Sequence, residues 1–406
     1  MANQKRPTVG LLRIFLGLAL FLALAAGVVV VVQRYMNVLA PGTAAQTAPQ
    51  AIEAARTLIG DGKFLEARQI VEPLVARLKK DPLNQQALVL LARIEQGSNA
   101  PDKALEALKR AVSEFPQSPD TVSVQLAYAK ALEDTGKADE AVKVYAEVRE
   151  SAPPEMRAAA TTALGRQAEK ANDLPKAREL YTLAAREAKW DSDPWKEASQ
   201  SLGRVNVALI FSPAETPDSR KYAVERGDNL LSIGMKLNTT QGLLMRANGL
   251  SENPALSVGQ QLKYTPKDFR IVIERSKCRL FLLDKDGIFK WYYAGLGMPG
   301  HETTLGSYKI GNKEKDPVWH KPGAGPIPAG DPANELGTRW MPFVPQLENL
   351  PTDLGVHGTI KPETVGTFAS HGCARLLNAE VEELYDLVVR STPVDIVETF
   401  APPEGS

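Results

Sequence analysis

The first hydrophobic feature of the 406-residue chain is an uncharged, almost wholly apolar run from Ile14 to Val32. At about 1.5 Å of rise per residue, a helix of this length crosses the roughly 30 Å hydrocarbon core of a bilayer. Three basic residues precede the run and one follows it closely, namely Lys5, Arg6, Arg13 and Arg34. The positive-inside rule then predicts residues 1–13 in the cytoplasm and a transmembrane signal anchor over residues 14–34.

A cleaved signal peptide is the alternative, because Val38-Leu39-Ala40 ends in a residue typical of a cleavage site. Pro41 directly after this cut and the length of the apolar run favour the uncleaved anchor. In both cases the bulk of the chain is exported. Residues 35–50 are predicted to be a tether, because the stretch from Pro41 carries no charge and no apolar period.

Residues 51–201 carry a helical pattern that repeats. Four similar segments align on Ala67, Ala104, Ala141 and Ala177, with spacings of 37, 37 and 36 residues. The spacing resembles the tetratricopeptide (TPR) repeat, a pair of helices that must stack on neighbours to bury its apolar faces. The resemblance implies an all-α TPR-like solenoid, which would either recruit a protein partner or act as a spacer. Residues 202–220, proline-rich toward the end, are predicted to be a linker.

Residues 221–266 follow a strand–helix–helix–strand pattern. Tyr222–Val224 alternates like a strand, a helix begins at Leu230, a second apolar stretch precedes Asn248-Gly249, and a strand returns after Gly259. The motifs V-x-x-G-D-x-L, A-N-G-L and V-G-Q-x-L occur in this order and resemble a LysM domain. The resemblance implies a small βααβ module that binds the glycan strands of peptidoglycan or chitin. The implied sugar contacts lie in its turns, at Gly227, Asp228, Asn229, Asn248 and Gly249. A LysM-shaped module that no longer binds sugar is the alternative.

From Arg270 onward the pattern changes to short β-rich runs separated by turns. The predicted strands cover Ile271–Glu274, Leu280–Leu283, Phe289–Tyr293 and Ser307–Ile310. The Pro- and Gly-rich stretch over residues 317–332 is long enough to predict a functional lid or binding loop. One helix follows, with Asn378 as its cap and one apolar face made by Val381, Leu384, Tyr385 and Val388.

Composition removes several functional classes. The 48 basic residues balance 48 acidic ones, which argues against a nucleic-acid partner. A hydrophobic content of 44% and a charged content of 24% exclude wholesale disorder. The two cysteines cannot form a disulfide scaffold and match no zinc spacing, so no metal site is expected.

The most specific signal is H-G-T at residues 357–359 followed by S-H-G-C-A-R at residues 370–375. A thiol with its ordinary pKa near 8.5 is mostly protonated at neutral pH, so a nucleophilic cysteine needs a base such as imidazole. Gly358 and Gly372 permit turns that aim backbone amides at a bound carbonyl. The pattern indicates covalent catalysis by Cys373 with His357.

The same motif resembles the signature of the L,D-transpeptidase (YkuD-type) catalytic domain, and flanking motifs extend the resemblance over residues 269–400. A mainly β catalytic domain is implied, followed by a tail at residues 401–406. The implied nucleophile is Cys373 and the general base is His357, oriented by the Gly358 carbonyl. Amides around His371, Gly372 and Cys373 would form the oxyanion hole. The implied substrate contacts are Arg375, Ser370, Thr359 and Trp319. The chain departs from the family at Thr304, where proline is commoner, and at Ala374, where a larger apolar residue is usual.

The resemblance implies acyl transfer in peptidoglycan, without a metal or organic cofactor. A Cys thioester would form with loss of the terminal D-Ala of a tetrapeptide stem, and an amine of another stem would resolve it as a 3→3 cross-link. Hydrolysis as an L,D-carboxypeptidase, attachment of a protein to peptidoglycan, and a non-catalytic wall-binding scaffold are the alternatives. The whole is predicted to be a multidomain protein with one helix in the inner membrane and its catalytic part in the periplasm or cell wall.

The remaining cysteine and histidines are expected to be structural or superficial. Cys278 lies in an apolar run and is predicted to pack in a strand. A disulfide between Cys278 and Cys373 would block the nucleophile and is not expected. His301 and His320 are predicted at the surface, with a place for His320 in the substrate cleft as the alternative.

Overall fold

A computed structural model describes residues 44–321, 323 and 325–402. The predicted cytoplasmic segment and membrane anchor, residues 1–34, lie outside these residues, as does most of the tail. Within the described part of the chain, no helix combines the length and the apolar character that crossing a bilayer requires. The fold consists of two compact units, and the division falls between Val144 and Tyr145, inside a helix.

The first unit is a row of helices, and consecutive helices from Ala44–Gly60 to Thr121–Asp134 pack on one another. The helices are α1 (Ala44–Gly60), α2 (Phe64–Leu78), α3 (Leu83–Gly97), α4 (Pro101–Glu114), α5 (Thr121–Asp134) and the beginning of α6 (Ala138–Ser151). Ala67 and Ala104, two of the aligned alanines, are almost completely buried. Their small side chains let neighbouring helices approach closely. Helix α1 begins at Ala44, within the segment predicted as a tether.

The second unit opens with three more helices, α7 (Pro154–Lys170), α8 (Leu174–Glu187) and α9 (Asp193–Ile210). Helix α9 continues through the first nine residues of the segment predicted to be a linker, so that prediction is wrong for residues 202–210. The reason is that two sides of the helix are buried: Val205 and Leu209 pack with Tyr181 of α8, and Val207 packs in the main core of the β domain. Helix α9 also contacts a strand of the β domain, because Asn206 Nδ2 donates a hydrogen bond to the Phe289 carbonyl at 2.8 Å.

The module at residues 221–266 has the predicted strand–helix–helix–strand order. Strands β1 (Arg220–Ala223) and β2 (Gln261–Tyr264) pair antiparallel, and between them lie α10 (Leu230–Leu237) and α11 (Gln241–Asn248). Its buried core includes Val224, Ile233, Leu244 and Leu262. Asn229 caps α10, with its side chain accepting a hydrogen bond from the Ser232 amide at 2.9 Å.

Direct contacts join this module to its neighbours in the second unit. The buried Lys263 ammonium donates to the carbonyls of Leu209 at 2.8 Å and Ser212 at 2.6 Å, at the carboxyl end of α9, where a cation is favourable. On the other side the Thr240 hydroxyl donates to the Asp386 carbonyl, and the Arg246 guanidinium lies 3.3 Å from the Asp386 carboxylate.

The catalytic-domain candidate is built on a sheet of nine strands within the described residues. The strands are β3 (Arg270–Glu274), β4 (Arg279–Asp284), β5 (Gly287–Tyr293), β7 (Gly306–Ile310), β8 (Glu314–Lys315), β11 (Arg339–Pro345), β12 (Gly355–His357), β14 (Ala374–Arg375) and β15 (Pro393–Val397). Their order in the sheet is β14-β12-β11-β7-β15-β3-β4-β5, and β8 pairs with β11. Two smaller pairs join β6 (Leu296–Gly297) to β13 (Phe368–Ser370), and β9 (Trp319–His320) to β10 (Pro326–Ile327). Helix α12 (Asn378–Leu387) buries Val381 and Leu384 in the main core.

An aromatic cluster connects α9 to this sheet. The ring centroids of Trp190 and Trp195 are 4.2 Å apart, and Trp195 stacks on Trp291 of β5 at 5.9 Å. The Trp291 indole N–H donates to the Ser199 hydroxyl at 2.9 Å. The helices before the module therefore share a core with the sheet, which includes Phe281.

Candidate active site

The turn that carries Cys373 lies between β13 and β14 and is fastened by Ser370. The Ser370 hydroxyl donates to the Cys373 carbonyl at 2.6 Å and accepts from the Gly372 amide at 3.1 Å. Gly372 has φ +120°, and a Cβ there would lie 3.0 Å from the Leu354 side chain. Because the left-handed region is strained for other residues, the turn requires glycine at this position.

Parallel pairing of β12 with β14 brings the two halves of the sequence motif together. In this register Val356 faces Ala374 and His357 faces Arg375. Cys373 directly precedes β14, and neighbouring strands lie only about 5 Å apart. The thiol-bearing turn therefore lies beside the strand that ends in His357.

The His357 imidazole is buried and held by a backbone carbonyl. Its Nδ1 lies 2.7 Å from the Gly358 carbonyl, which can only accept, so Nδ1 carries the proton and Nε2 keeps its lone pair. Burial, and to a smaller extent the Arg375 cation, lower the pKa of His357 to about 4, against the opposing effects of the Gly358 and Leu336 carbonyls and the Glu335 carboxylate. The ring is neutral at pH 7.

The Cys373 thiol is partly exposed at the residue level, but its sulfur is well desolvated. Burial raises the pKa of Cys373 to about 11, against the opposing effects of the Gly355 amide and the Arg375 cation. The sulfur lies 3.6 Å from the Asp353 carbonyl. With these pKa values, the thiol and the imidazole are both uncharged at pH 7.

Arg375 is buried in β14 and forms an ion pair. Its backbone exchanges two hydrogen bonds with Gly295, each at 2.8 Å. Its guanidinium lies 3.0 Å from one carboxylate oxygen of Glu335, and the Lys361 ammonium lies 2.9 Å from the other. Burial alone would raise the pKa of Glu335, but Lys361 and Arg375 hold it below its usual value.

Sequence reasoning missed Glu335 and Lys361. Glu335 directly precedes Leu336-Gly337-Thr338-Arg339, a motif that contributed to the resemblance. The sequence carries no sign that this loop returns to Arg375, which is 40 residues away along the chain.

The long loop before β11 is anchored at its end by two asparagine side chains. The buried Asn334 amide donates to the carbonyls of Pro317 at 2.9 Å and Pro328 at 3.1 Å. The Asn378 side-chain oxygen accepts from the amides of Thr338 at 3.3 Å and Thr359 at 3.1 Å. Asn378 was expected to cap α12, but it is the first residue of that helix and holds the loop instead.

Among the expected substrate contacts, Ser370 and Thr359 are buried and bonded within the site. Ser370 fastens the cysteine turn, and the Thr359 hydroxyl accepts from the Lys361 amide at 3.0 Å. Their contact with substrate stays a prediction. Trp319 is half-buried in the β9–β10 hairpin, with the Lys321 ammonium 5.3 Å from its ring centroid.

The glycine turn also differs in detail from the expected oxyanion hole, because the Gly372 amide already donates to Ser370. His371 is exposed, and its ring lies 5.0 Å from that of His301, which is exposed as well. His320 is exposed in β9. Cys278 is a buried free thiol, and Cys373 is free too.

The expected sugar-binding residues form a separate group in the turns of the βααβ module. The Asp228 carboxylate accepts from the Tyr222 hydroxyl at 2.7 Å and from the Lys236 ammonium at 2.8 Å. The Asn248 side chain exchanges hydrogen bonds with the Lys263 backbone at 2.7 and 2.8 Å. These side chains, like the Asn229 cap, stabilise the turns that contain Gly227 and Gly249.

Comparison with known families agrees with this architecture. Residues 268–396 match the model of the L,D-transpeptidase catalytic domain. They form an L,D-transpeptidase catalytic domain. Residues 222–265 match the LysM domain, and residues 52–119 and 97–165 match tetratricopeptide repeats. The chain is thus a multidomain protein with a helical TPR region, a LysM domain and a β-sheet L,D-transpeptidase domain.

Two curated relatives are named as L,D-transpeptidases. The YkuD protein of Bacillus licheniformis is 28% identical over 43% of this chain and 97% of its own length. The YqjB protein of Bacillus subtilis is 29% identical over 33% of this chain and 73% of its own.

Solved L,D-transpeptidases are more distant. The E. faecium catalytic domain is 22% identical, with a TM-score of 0.26, over 32% of this chain and 97% of that one. An L,D-transpeptidase from Mycobacterium smegmatis is 16% identical, with a TM-score of 0.26, over 35% of this chain and 64% of that one. Likenesses at this level carry no information about function.

Proposed function

We propose that this protein is a peptidoglycan L,D-transpeptidase that forms 3→3 cross-links with Cys373 as its nucleophile. The observation that carries the proposal is the pairing of β12 with β14 in an L,D-transpeptidase domain, which sets the Cys373 turn beside the buried, carbonyl-held His357. In this proposal the neutral His357 imidazole is the general base that activates the Cys373 thiol.

In the first half-reaction the Cys373 sulfur attacks the carbonyl of the third, L-configured residue of a tetrapeptide stem. The thiol proton passes to His357 Nε2 as the carbon–sulfur bond forms, because neither partner is charged at rest. The amide C–N bond then breaks, and His357 returns the proton to the leaving D-Ala amine. The product is a thioester on Cys373.

In the second half-reaction the amine of another stem attacks the thioester. His357 takes a proton from the attacking amine and gives it to the Cys373 sulfur as the carbon–sulfur bond breaks. The new amide is the 3→3 cross-link. Water in place of the amine gives a tripeptide, which is the L,D-carboxypeptidase alternative, and an amine of a protein gives attachment to peptidoglycan.

The backbone amides of His371 and Cys373 are the oxyanion donors in this proposal, since the Gly372 amide is engaged by Ser370. Gly358 orients the imidazole through its carbonyl. Trp319, in the β9–β10 hairpin, contacts the substrate in this proposal.

The other domains serve the same wall chemistry in this proposal. The LysM turns hold a glycan strand and raise the local concentration of stem peptides. The TPR array recruits a protein partner, with a spacer role as the alternative. Residues 14–34 anchor the chain in the inner membrane and leave the catalytic domain in the periplasm or cell wall.

Product analysis by mass spectrometry tests the proposal. The full chain in detergent and its Cys373→Ala variant are incubated with disaccharide-tetrapeptide. A cysteine-dependent dimer that lacks one D-Ala supports the transpeptidase, and tripeptide alone supports the carboxypeptidase. No change with a folded domain and a titratable thiol would overturn catalysis on this donor and favour the non-catalytic scaffold.

A further inference from the structure

Glu335 has no part in the two half-reactions, yet its carboxylate lies between two cations of the active site. One oxygen contacts the Arg375 guanidinium at 3.0 Å and the other contacts the Lys361 ammonium at 2.9 Å. The three groups together carry a net charge of one positive unit. Without Glu335, the same place would carry two.

The loop that carries Glu335 is fixed on both sides. Asn334 is buried and bonded to the carbonyls of Pro317 and Pro328, and Thr338 is bonded to Asn378. Gly337 packs so closely that a Cβ would lie 2.7 Å from the Thr359 amide. The Glu335 carboxylate is therefore a permanent part of the site, not a group on a moving lid.

The two ion pairs of Glu335 differ in burial. The Arg375 side chain is 7% exposed and the Lys361 side chain is 47% exposed. Separating a buried pair leaves a desolvated charge without a partner, which is costly. An exposed lysine pair contributes little, so its ammonium can turn to a new partner at small cost.

We propose that Glu335 neutralises Arg375 and leaves the exposed Lys361 ammonium to bind a carboxylate of the donor stem. This assignment rests on the proposed function and refines it. Lys361 becomes a specificity-determining residue, and Glu335 becomes the residue that sets the net charge of the donor site. The family resemblance implies a substrate contact for Arg375, but the Arg375 guanidinium is already paired with Glu335.

A reagent pair tests the charge of the site without requiring catalysis. Cys373 is alkylated with anionic iodoacetate and neutral iodoacetamide, and the ratio of the two rates is measured by peptide mapping. In Lys361→Gln we expect this ratio to fall about two- to fivefold, and in Glu335→Gln to rise by a similar factor, because each variant changes the net charge of the site by one unit. Added salt should shrink both changes.

Lys315→Gln is the matched control, because Lys315 also forms an exposed pair, 3.0 Å from Glu252. It should leave the ratio unchanged. A ratio in Lys361→Gln equal to that of the wild type overturns the inference. Lys361 is exposed, so this variant does not endanger the fold, whereas Glu335→Gln needs its melting temperature checked.

A binding measurement provides a second test that does not depend on the rate of alkylation. It also distinguishes failure of the Lys361 proposal from failure of the proposed function. In a Cys373→Ala background, calorimetry compares a tetrapeptide stem with its analogue amidated at the side-chain carboxyl of the third residue and with one amidated at its C-terminus. Lys361→Gln should weaken binding of the free stem about fivefold and leave one of the amidated stems unaffected. Equal weakening of all three overturns the role of Lys361 while leaving the transpeptidase intact. If no stem binds the Cys373→Ala protein, the proposed function fails as well.

Discussion

At the scale of residues, the Cys373 thiol and the His357 imidazole are the groups whose charge states define the resting site. Burial pushes the pKa of the thiol up and that of the imidazole down, so both partners are neutral at pH 7. The charges that face His357 are Arg375 from β14 and Glu335 from the long loop, and they oppose one another. Under the proposed function, proton transfer then accompanies the attack on substrate.

The depressed pKa of His357 makes the second unit sensitive to acid. Below the ordinary pKa near 6.5 the unfolded chain binds a proton that the folded ring refuses until about pH 4, so stability falls as the pH drops through this window. Between pH 7 and pH 5 the wild type should lose about 1–2 kcal/mol more than His357→Gln. Chemical denaturation monitored by tryptophan fluorescence reports on the second unit alone, because all five tryptophans lie in that unit.

The exposed His320 provides the control for that measurement. His320→Gln should reproduce the acid sensitivity of the wild type. Equal pH dependence of the wild type and His357→Gln would contradict the neutral buried imidazole.

The Ser370 hydroxyl fastens the turn that carries Cys373. Ser370→Ala removes the hydroxyl that joins the Cys373 carbonyl to the Gly372 amide, and we expect a loss of about 1–3 kcal/mol in stability. The rate of acylation should fall about tenfold or more, because the sulfur is no longer held in place. Steady-state kinetics should show the change in kcat with little change in KM. A change confined to KM would indicate that Ser370 binds the donor directly.

At the scale of elements, periodicity and turn residues predicted the parts but not their pairing. The four predicted strands from Ile271 to Ile310 and the helix over Val381 and Leu384 are all present, because β-branched runs and a helical apolar stripe are local signals. The pairing of β12 with β14 and the contact of Glu335 with Arg375 depend on the path of long loops. No local pattern encodes such a path, and the Cys–His constellation was accessible only because its motif is distinctive.

A substitution at Gly337 tests whether the loop that carries Glu335 must keep its backbone path. It has φ +65°, and an added Cβ would lie 2.7 Å from the Thr359 amide. Gly337→Ala should push Leu336 and Glu335 away from the site, destabilise the domain by about 2–4 kcal/mol and reduce turnover strongly.

A variant at Gly330, in the same loop, distinguishes the effect of backbone strain from the effect of a steric clash. It also has positive φ, at +77°, but a Cβ there meets nothing within 4 Å. Gly330→Ala should therefore cost about 1 kcal/mol and leave turnover nearly unchanged. Comparable losses of turnover in both variants would mean that the contact of Gly337 with Thr359 is unimportant.

At the scale of the molecule, the catalytic domain does not end where its sequence motif ends. Helix α9 shares an aromatic core with the sheet, and Lys263 of the LysM domain bonds to the end of α9. The sequence predicted a linker over residues 202–220 because prolines mark its second half, while the buried valines of its first half give no separate signal. Shared cores of this kind form from contacts distant in the chain.

Shortened chains measure this dependence. A chain of residues 153–406 keeps Trp195 against Trp291, whereas one of residues 221–406 exposes that face of the sheet. Loss of a buried tryptophan contact typically costs about 3–5 kcal/mol, so the shorter chain should melt at least several degrees lower or aggregate. Circular dichroism during heating provides the measurement. Equal melting temperatures would show that α9 is dispensable for the sheet.

Under the proposed function, the contacts of Asp386 with Thr240 and Arg246 bear on where cross-links form. They join the LysM domain to α12 of the catalytic domain and so limit the distance between the predicted sugar-binding turns and the Cys373 sulfur. Under this proposal the molecule spans a fixed length along a glycan strand, from the sugar that the LysM domain binds to the Cys373 thiol. Stems at one set interval from the held sugar reach the thiol, and the spacing of new cross-links is dictated by the enzyme's own dimensions.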